Sequence, residues 1–256
     1  MLAQRQPASD ALAPPPLDLS DATLFFDFDG TLVELAETPD GVVVEDSLLA
    51  LLDAVVARLP GRVAIISGRS IAQLDAMLGD HARRLAVAGS HGAERRTPDA
   101  GHVRPDHPQA LEAAAAELEA FATLNGLVFE AKSFGAALHY RQTPDREGEA
   151  TAIAETVAAR HGLTLQRGKM MVEVREAGNK GAALTALMDT PAMADTRPIF
   201  FGDDVTDEDG FVAARDLGGA GVLIGPPRET AATHRLDDVT ALRDWIARTL
   251  TEGDHA

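Results

Sequence analysis

The stretch Thr23–Val33, TLFFDFDGTLV, decides how this chain is read. An apolar run ends in two aspartates one residue apart, Asp27 and Asp29, with Gly30 directly behind them. Consecutive phenylalanines imply burial on both faces of a strand, as in a sheet covered by helices on each side. Paired acids at a strand end are compatible with plain solvation or with chemistry, and the stretch alone does not choose between them.

Working outward, apolar runs of strand length alternate with helical patterns. After the strand Leu24–Asp27, residues Glu45–Arg58 carry Leu48, Leu51, Leu52 and Val55 at helical spacing. Arg62–Gly68 (RVAIISG) reads as a second buried strand, Ser70–Leu78 as a helix, and Leu85–Gly92 as a third strand running into a glycine turn. The pattern returns near the end: helix Lys180–Met188, strand Pro198–Asp204, helix Asp207–Arg215, strand Ala220–Gly225 and helix Asp238–Leu250. A β-α-β order with strands apolar throughout predicts a parallel, Rossmann-like sheet and an α/β fold.

The middle differs. A turn-rich segment, Thr97–Pro108, precedes an Ala/Glu helix over Gln109–Thr123. Two close strand-like stretches follow, Val128–Ala131 and Gly135–Gln142. A helix over Glu147–His161 then leads to a second pair, Thr164–Gln166 and Met170–Arg175. Strand pairs joined by short turns predict an antiparallel sheet with helices on one face. The expected organisation is a disordered tail over 1–20, an α/β core over 21–104 and 176–256, and an inserted α+β module over 105–175.

Composition narrows the classes of function. The 256 residues are 45% hydrophobic and 25% charged, with a formal net charge of −17, which opposes binding to nucleic acid or to an anionic membrane. There is no cysteine, so disulfides, thiol nucleophiles and zinc–thiolate sites are excluded. No run approaches the length of a membrane span, and residues 1–20 lack the apolar core of a secretory signal. A cytoplasmic monomer is expected. The same negative charge would repel a phosphorylated substrate unless cations gather at one point.

In a parallel α/β sheet, ligands bind beyond the carboxyl ends of the strands. Four clusters fall at such positions: Asp27 and Asp29; Ser67 in SGR; Lys180 at a helix start in GNKGAAL; and Asp203, Asp204 and Asp207 in GDDVTDE. Each has an ordinary alternative. Paired acids end strands in solvent, Ser67 could cap a helix, and a lysine at a helix start is commonly solvated. Several acids in GDDVTDE would repel one another unless a cation sits among them. Their joint occurrence, in order, at strand ends and helix starts favours chemistry.

DFDGT, SGR, the lysine of NKG and GDDVTDE resemble the four motifs of the haloacid dehalogenase (HAD) superfamily. The wording is most similar to that of the trehalose-6-phosphate phosphatases, over about residues 21 to 250, including the position of the insert. The resemblance implies a HAD core with a C2-type cap. It implies Asp27 as a nucleophile forming an aspartyl-phosphate and Asp29 as the general acid and base. Ser67 and Lys180 would grip the phosphoryl oxygens. Mg2+ is the implied cofactor, held by Asp27, the Asp29 backbone carbonyl and Asp203, with Asp204 and Asp207 in support and one of them orienting Lys180.

The insert bears on substrate. Glu130 and Lys132 are two apart and share a strand face, as do Lys169, Met171 and Glu173, and also His139 and Arg141. Mixed charges on strands suit a polyhydroxylated ligand, although alternating polar residues also mark any half-exposed antiparallel strand. By resemblance, Glu130, Lys132 and Glu173 would hold the distal glucose of a small-molecule sugar phosphate, with Arg141 and Lys169 nearer the phosphate. Gly68, Arg69, His91 and Gly92 fall in core loops that would also meet substrate. The alternatives are a phosphatase of another sugar phosphate, such as sucrose 6-phosphate or a hexose phosphate, a phospho-accepting receiver-like module, and a non-catalytic sugar sensor.

Overall fold

The computed structural model describes residues 6–7, 14, 19–36, 41–99, 101–103, 108–132, 134–168, 170–176 and 178–252. In chain order the regular elements begin β1 (Gln6–Pro7), β2 (Ala22–Phe26), α1 (Asp46–Arg58), β3 (Val63–Ile66), α2 (Ile71–Leu78), β4 (Ala86–Gly89), β5 (Glu94–Thr97) and β6 (Gly101–Val103). They continue with α3 (Pro108–Asn125), β7 (Val128–Lys132), β8 (Gly135–His139), α4 (Glu147–His161), β9 (Thr164–Gly168) and β10 (Met171–Arg175). The chain closes with α5 (Lys180–Met188), β11 (Arg197–Gly202), α6 (Glu208–Asp216), β12 (Ala220–Ile224), β13 (Glu229–Thr230), β14 (His234–Leu236) and α7 (Val239–Glu252). Two compact units result, Met1–Val103 with Gly178–Ala256, and Arg104–Ala177.

The larger unit is built on an eight-stranded sheet in the order β14-β12-β11-β2-β3-β4-β5-β6. The six strands from β14 to β4 run parallel, and β5 and β6 add an antiparallel hairpin at one edge. At its centre Phe25 pairs with Phe200 and Phe26 with Phe201, so neighbouring strands bring one phenylalanine pair to each face. All four are fully buried. Phe26 stacks on Phe201 at 5.0 Å, and Phe201 meets Trp245 of α7 at 5.4 Å. These pairs lock the register of β2 against β11, and within two residues each strand is followed by an aspartate, Asp27 and Asp203.

Three sequence expectations are corrected here. The turn-rich segment Thr97–Pro108 contains β6, β5 lies just before it, and β13 and β14 were not foreseen. These are edge or short strands whose residues, ERRT, GHV, ET and HRL, offer no apolar run to read. The tail expected to be disordered over 1–20 is partly placed: Gln6–Pro7 pairs antiparallel with Glu229–Thr230. Trp245 Nε1 also donates to the Pro14 carbonyl at 2.9 Å, which satisfies a buried indole.

The smaller unit is a four-stranded antiparallel sheet, β7-β8-β10-β9. One face packs on α3 and α4 through Leu118, Leu138, Val157, Val172 and Val174, all buried. The strand expected over Gly135–Gln142 stops at His139, so Arg141 lies in a turn rather than on the sheet. The other face of this sheet carries the polar residues.

Candidate active site

Asp27 follows β2, and its backbone N–H donates to the Phe201 carbonyl at 2.8 Å, tying it to the end of β11. The parallel register Phe26↔Ile65 sets Ser67, just past β3, beside the same edge. Phe26↔Phe201 does the same for Gly202 and Asp203. The edge where these strands end therefore collects Asp27, Ser67 and Asp203 from three separate motifs. Lys180 joins them as the first residue of α5, behind the N-cap Asn179, whose side chain accepts from Ala182 N–H at 2.8 Å.

The centre is a buried charge cluster. Lys180 Nζ lies 2.9 Å from Asp27 Oδ1 and 2.6 Å from Asp207 Oδ1. The Asp207 side chain is fully buried, and its Oδ2 accepts from the N–H groups of Asp203 and Asp204, each at 3.0 Å. Asp204 and Asp207 cap the short turn Val205–Asp207 reciprocally. Asp203 Oδ1 accepts from Thr31 Oγ1 at 3.3 Å. Asp27, Asp203 and Asp207 each bring a carboxylate oxygen into a group no more than 4.8 Å across.

Glycines make this crowding possible. A Cβ on Gly30 would come 2.3 Å from Asp203 Oδ2, and φ there is +83°, in the region that favours glycine. A Cβ on Gly202 would come 2.4 Å from Asp207 Cγ.

Electrostatics follow the burial. Desolvation pushes the Asp27 carboxyl well above its ordinary range, with Asp207 adding to the rise and Lys180 opposing it. Asp203 is pushed up to about 6, first by burial and then by the charges of Asp207 and Asp204. Burial works against charge on Lys180, but the carboxylates of Asp27 and Asp207 outweigh it and raise its pKa. Three carboxylates face one ammonium.

Asp29 stands apart from that cluster. Arg69 clasps both its oxygens, Nε to Oδ2 and Nη2 to Oδ1, at 2.7 Å each. The guanidinium also lies 5.9 Å from the Phe28 ring centre. Arg69 N–H donates to Ser67 Oγ at 3.1 Å, while Ser70, not Ser67, caps α2 in a capping box with Gln73. His91 lies over Gly68, where a Cβ would come 2.8 Å from its Nε2. His91 N–H donates to the Ser67 carbonyl at 2.8 Å. A Cβ on Gly92 would meet Ala183 of α5 at 2.7 Å. Among the named core residues, the structure thus links Ser67, Gly68, Arg69 and His91 in one loop pair.

Two contributors carried no signal of their own in the sequence. Glu94, buried on β5, accepts from Ile71 N–H at 2.8 Å and pairs with His102 at 2.9 Å, anchoring the start of α2. Arg228 donates to the Asp204 carbonyl at 2.6 Å and pairs with Glu208, bracing the GDDVTDE loop from outside. Its position just beyond β12, in GPPRET, is a strand-end position of the kind that singled out the other motifs.

On the open face of the smaller unit, His139 Nε2 lies 2.7 Å from Glu130 Oε2, and Lys132 Nζ lies 2.5 Å from Glu173 Oε2. Register sets Glu130 and Glu173 in one row across the sheet. Arg141 is exposed and makes no ion pair or hydrogen bond among the described residues. Lys169 lies outside the described residues. None of the described helices is long and apolar enough to cross a membrane.

Comparison with known proteins agrees with this geometry. The family model for trehalose-phosphatase matches residues 25–239. A probable trehalose-phosphate phosphatase from Sinorhizobium fredii is 41% identical over 90% of this chain and 88% of its own. A trehalose-6-phosphate phosphatase from Escherichia coli is 38% identical over 87% and 84%. A solved phosphatase of the haloalkanoate (HAD) superfamily from Bacteroides thetaiotaomicron shares the fold, with a TM-score of 0.63 at 16% identity over 97% of this chain and 100% of its own.

Proposed function

The chain belongs to the trehalose-phosphatase family, and from that premise we propose that it hydrolyses trehalose 6-phosphate to trehalose and inorganic phosphate. The observation that carries the reading is the buried Asp27–Lys180–Asp207 cluster, assembled from separate motifs at one sheet edge.

Asp27 acts as nucleophile. One of its oxygens bonds to phosphorus as the ester bond to the sugar oxygen breaks, leaving the phosphoryl group on Asp27. Asp29 gives the departing sugar oxygen its proton. It then takes a proton from the water that cleaves the aspartyl-phosphate, so phosphate leaves and both aspartates are restored. Because Arg69 holds both oxygens of Asp29, proton transfer requires that pair to open. Lys180 and Ser67 hold the phosphoryl oxygens, and Lys180 stays charged at neutral pH.

The residues present fit a divalent cation. Three carboxylates gathered within 4.8 Å, offset by one lysine, leave uncompensated negative charge and offer only hard oxygen donors. Asp27 and Asp203 would hold Mg2+, together with the Asp29 carbonyl. Asp207 is already committed to Lys180 and to two backbone N–H groups, which suits it to orient rather than to ligate. When bound, Mg2+ supplies the charge that keeps Asp27 ionised and offsets charge on the phosphoryl oxygens.

The smaller unit serves as the cap that reads the sugar, with Glu130, Lys132 and Glu173 holding the distal glucose and Arg141 and Lys169 nearer the phosphate. A cytoplasmic, monomeric enzyme completes the proposal. Its test is phosphate release from trehalose 6-phosphate by the parent and by Asp27→Asn. The parent turns over and the variant falls to background. An inactive parent refutes the substrate, and an equally active variant refutes the nucleophile.

A further inference from the structure

The open face of the smaller unit's sheet holds more than the residues assigned above to the distal sugar. Register sets Glu130, Ala137, Glu173 and Gln166 side by side across β7, β8, β10 and β9. It sets Lys132, Gly135, Arg175 and Thr164 in a parallel row two residues along. Residues two apart on a strand share a face, so both rows look the same way. The strand next to Glu173 offers only Ala137 and Gly135 there, and a Cβ on Gly135 would come 2.4 Å from Glu173 Oε1. The polar side chains of the neighbouring strands therefore stand over two small residues, Gly135 and Ala137, both of which are buried.

Two pairs on this face neutralise each other, Glu130 with His139 and Lys132 with Glu173. The third pair is of another kind. Arg175 is buried, and it donates from Nη1 to Gln166 Oε1 at 2.5 Å and from Nε to the Glu176 carbonyl at 3.3 Å. A guanidinium has donors only, so the Gln166 amide must turn its oxygen to Arg175 and its NH2 group away. That NH2 group has no hydrogen-bond partner among the described residues. A donor fixed in direction from one side and unsatisfied on the other is pre-oriented for a ligand acceptor.

We propose that Gln166, oriented by Arg175, donates to a hydroxyl of the non-phosphorylated glucose beside the acceptor Glu173. Glu173 and Gln166 are direct register neighbours. A hydroxyl both donates and accepts, so this neighbouring acceptor and donor can satisfy it fully. Arg175 touches no substrate and is a positioning residue. The inference rests on the reading that trehalose 6-phosphate is the substrate and that this face binds its second sugar.

The test compares the parent with Gln166→Ala, Gln166→Glu and Arg175→Lys on trehalose 6-phosphate and on glucose 6-phosphate, with thermal unfolding to verify the fold of each. Loss of one neutral hydrogen bond predicts a KM for trehalose 6-phosphate about fivefold higher in both Gln166 variants, the equivalent of ~1 kcal/mol. The preference for trehalose 6-phosphate over glucose 6-phosphate falls by a similar factor, while kcat changes less than about twofold. Gln166→Glu keeps the size and a partner for Arg175 but removes the donor, so a packing role alone would leave its KM at the parent value. Arg175→Lys keeps the charge without the planar fork and shifts KM the same way. A parental KM in Gln166→Glu, or equal weakening with both sugars, overturns the inference. A parent inactive on trehalose 6-phosphate removes the reading beneath it, and this inference falls with that reading.

Discussion

Replacing Lys180 with methionine removes the cation that pairs with Asp27 and Asp207 while nearly preserving side-chain volume. The lysine side chain is 3% exposed, and its partners Asp27 and Asp207 are 7% and 0% exposed, so solvent cannot stand in for the lost charge. Breaking a buried pair by deleting one partner costs about 3–5 kcal/mol, because the other charge is stranded. For a unit of this size that corresponds to roughly 6–20 °C in Tm. The folded-state pKa of Lys180 is raised, so the sign is definite. Its stabilisation is fully present below the ordinary lysine pKa, hence throughout the neutral range, and is lost only as pH rises through the raised value. The penalty in Lys180→Met shrinks on acidification, as the stranded carboxylates take up protons. Urea unfolding in chelator, followed by the single Trp245, reads this unit directly, since Trp245 is 3% exposed in its core. Adding Asp27→Asn removes one stranded charge, and the double variant recovers about 1–3 kcal/mol relative to additivity. A Lys180→Met variant within about 1 kcal/mol of the parent, or a strictly additive pair, refutes the reasoning.

Two further outcomes follow from the same site. Gly202→Ala drives a Cβ to 2.4 Å from Asp207 Cγ and is expected to cost about 1–3 kcal/mol and to weaken Mg2+ binding, as read by calorimetry; unchanged affinity would contradict it. Asp203, pushed up to about 6 by burial and neighbouring acids, binds its proton more tightly folded than unfolded. Its contribution to metal-free stability is complete below the ordinary aspartate pKa and is lost as pH rises through about 6. Mg2+ competes with that proton, so the Tm gain on adding Mg2+ grows between about pH 5 and 7. A gain independent of pH would show that Asp203 does not bind the metal.

The strands that carry chemistry were readable because they are central. Phe25, Phe26, Phe200 and Phe201 announce burial on both faces, and the acids come directly after them. The helix Lys180–Met188 and the helix Glu147–His161 were bounded correctly from their own patterns. The strands that escaped, β1, β5, β6, β13 and β14, sit at edges or are very short, and edge strands are commonly polar. Pairing across the fold escaped for a different reason. Asp29 with Arg69, Arg228 with the Asp204 carbonyl and Arg175 with Gln166 join positions whose partnership depends on register and loop path, which no local pattern encodes. Arg69 was expected at the substrate, and here its guanidinium is on Asp29.

The central claim is that this cluster serves trehalose 6-phosphate, and kcat/KM across a panel of sugar phosphates in the presence of Mg2+ tests it most directly. Trehalose 6-phosphate is expected to lead sucrose 6-phosphate and glucose 6-phosphate by at least about tenfold, the equivalent of ~1.4 kcal/mol of added transition-state binding through the distal sugar. Equal rates across the panel, or trehalose 6-phosphate among the poor substrates, would contradict it.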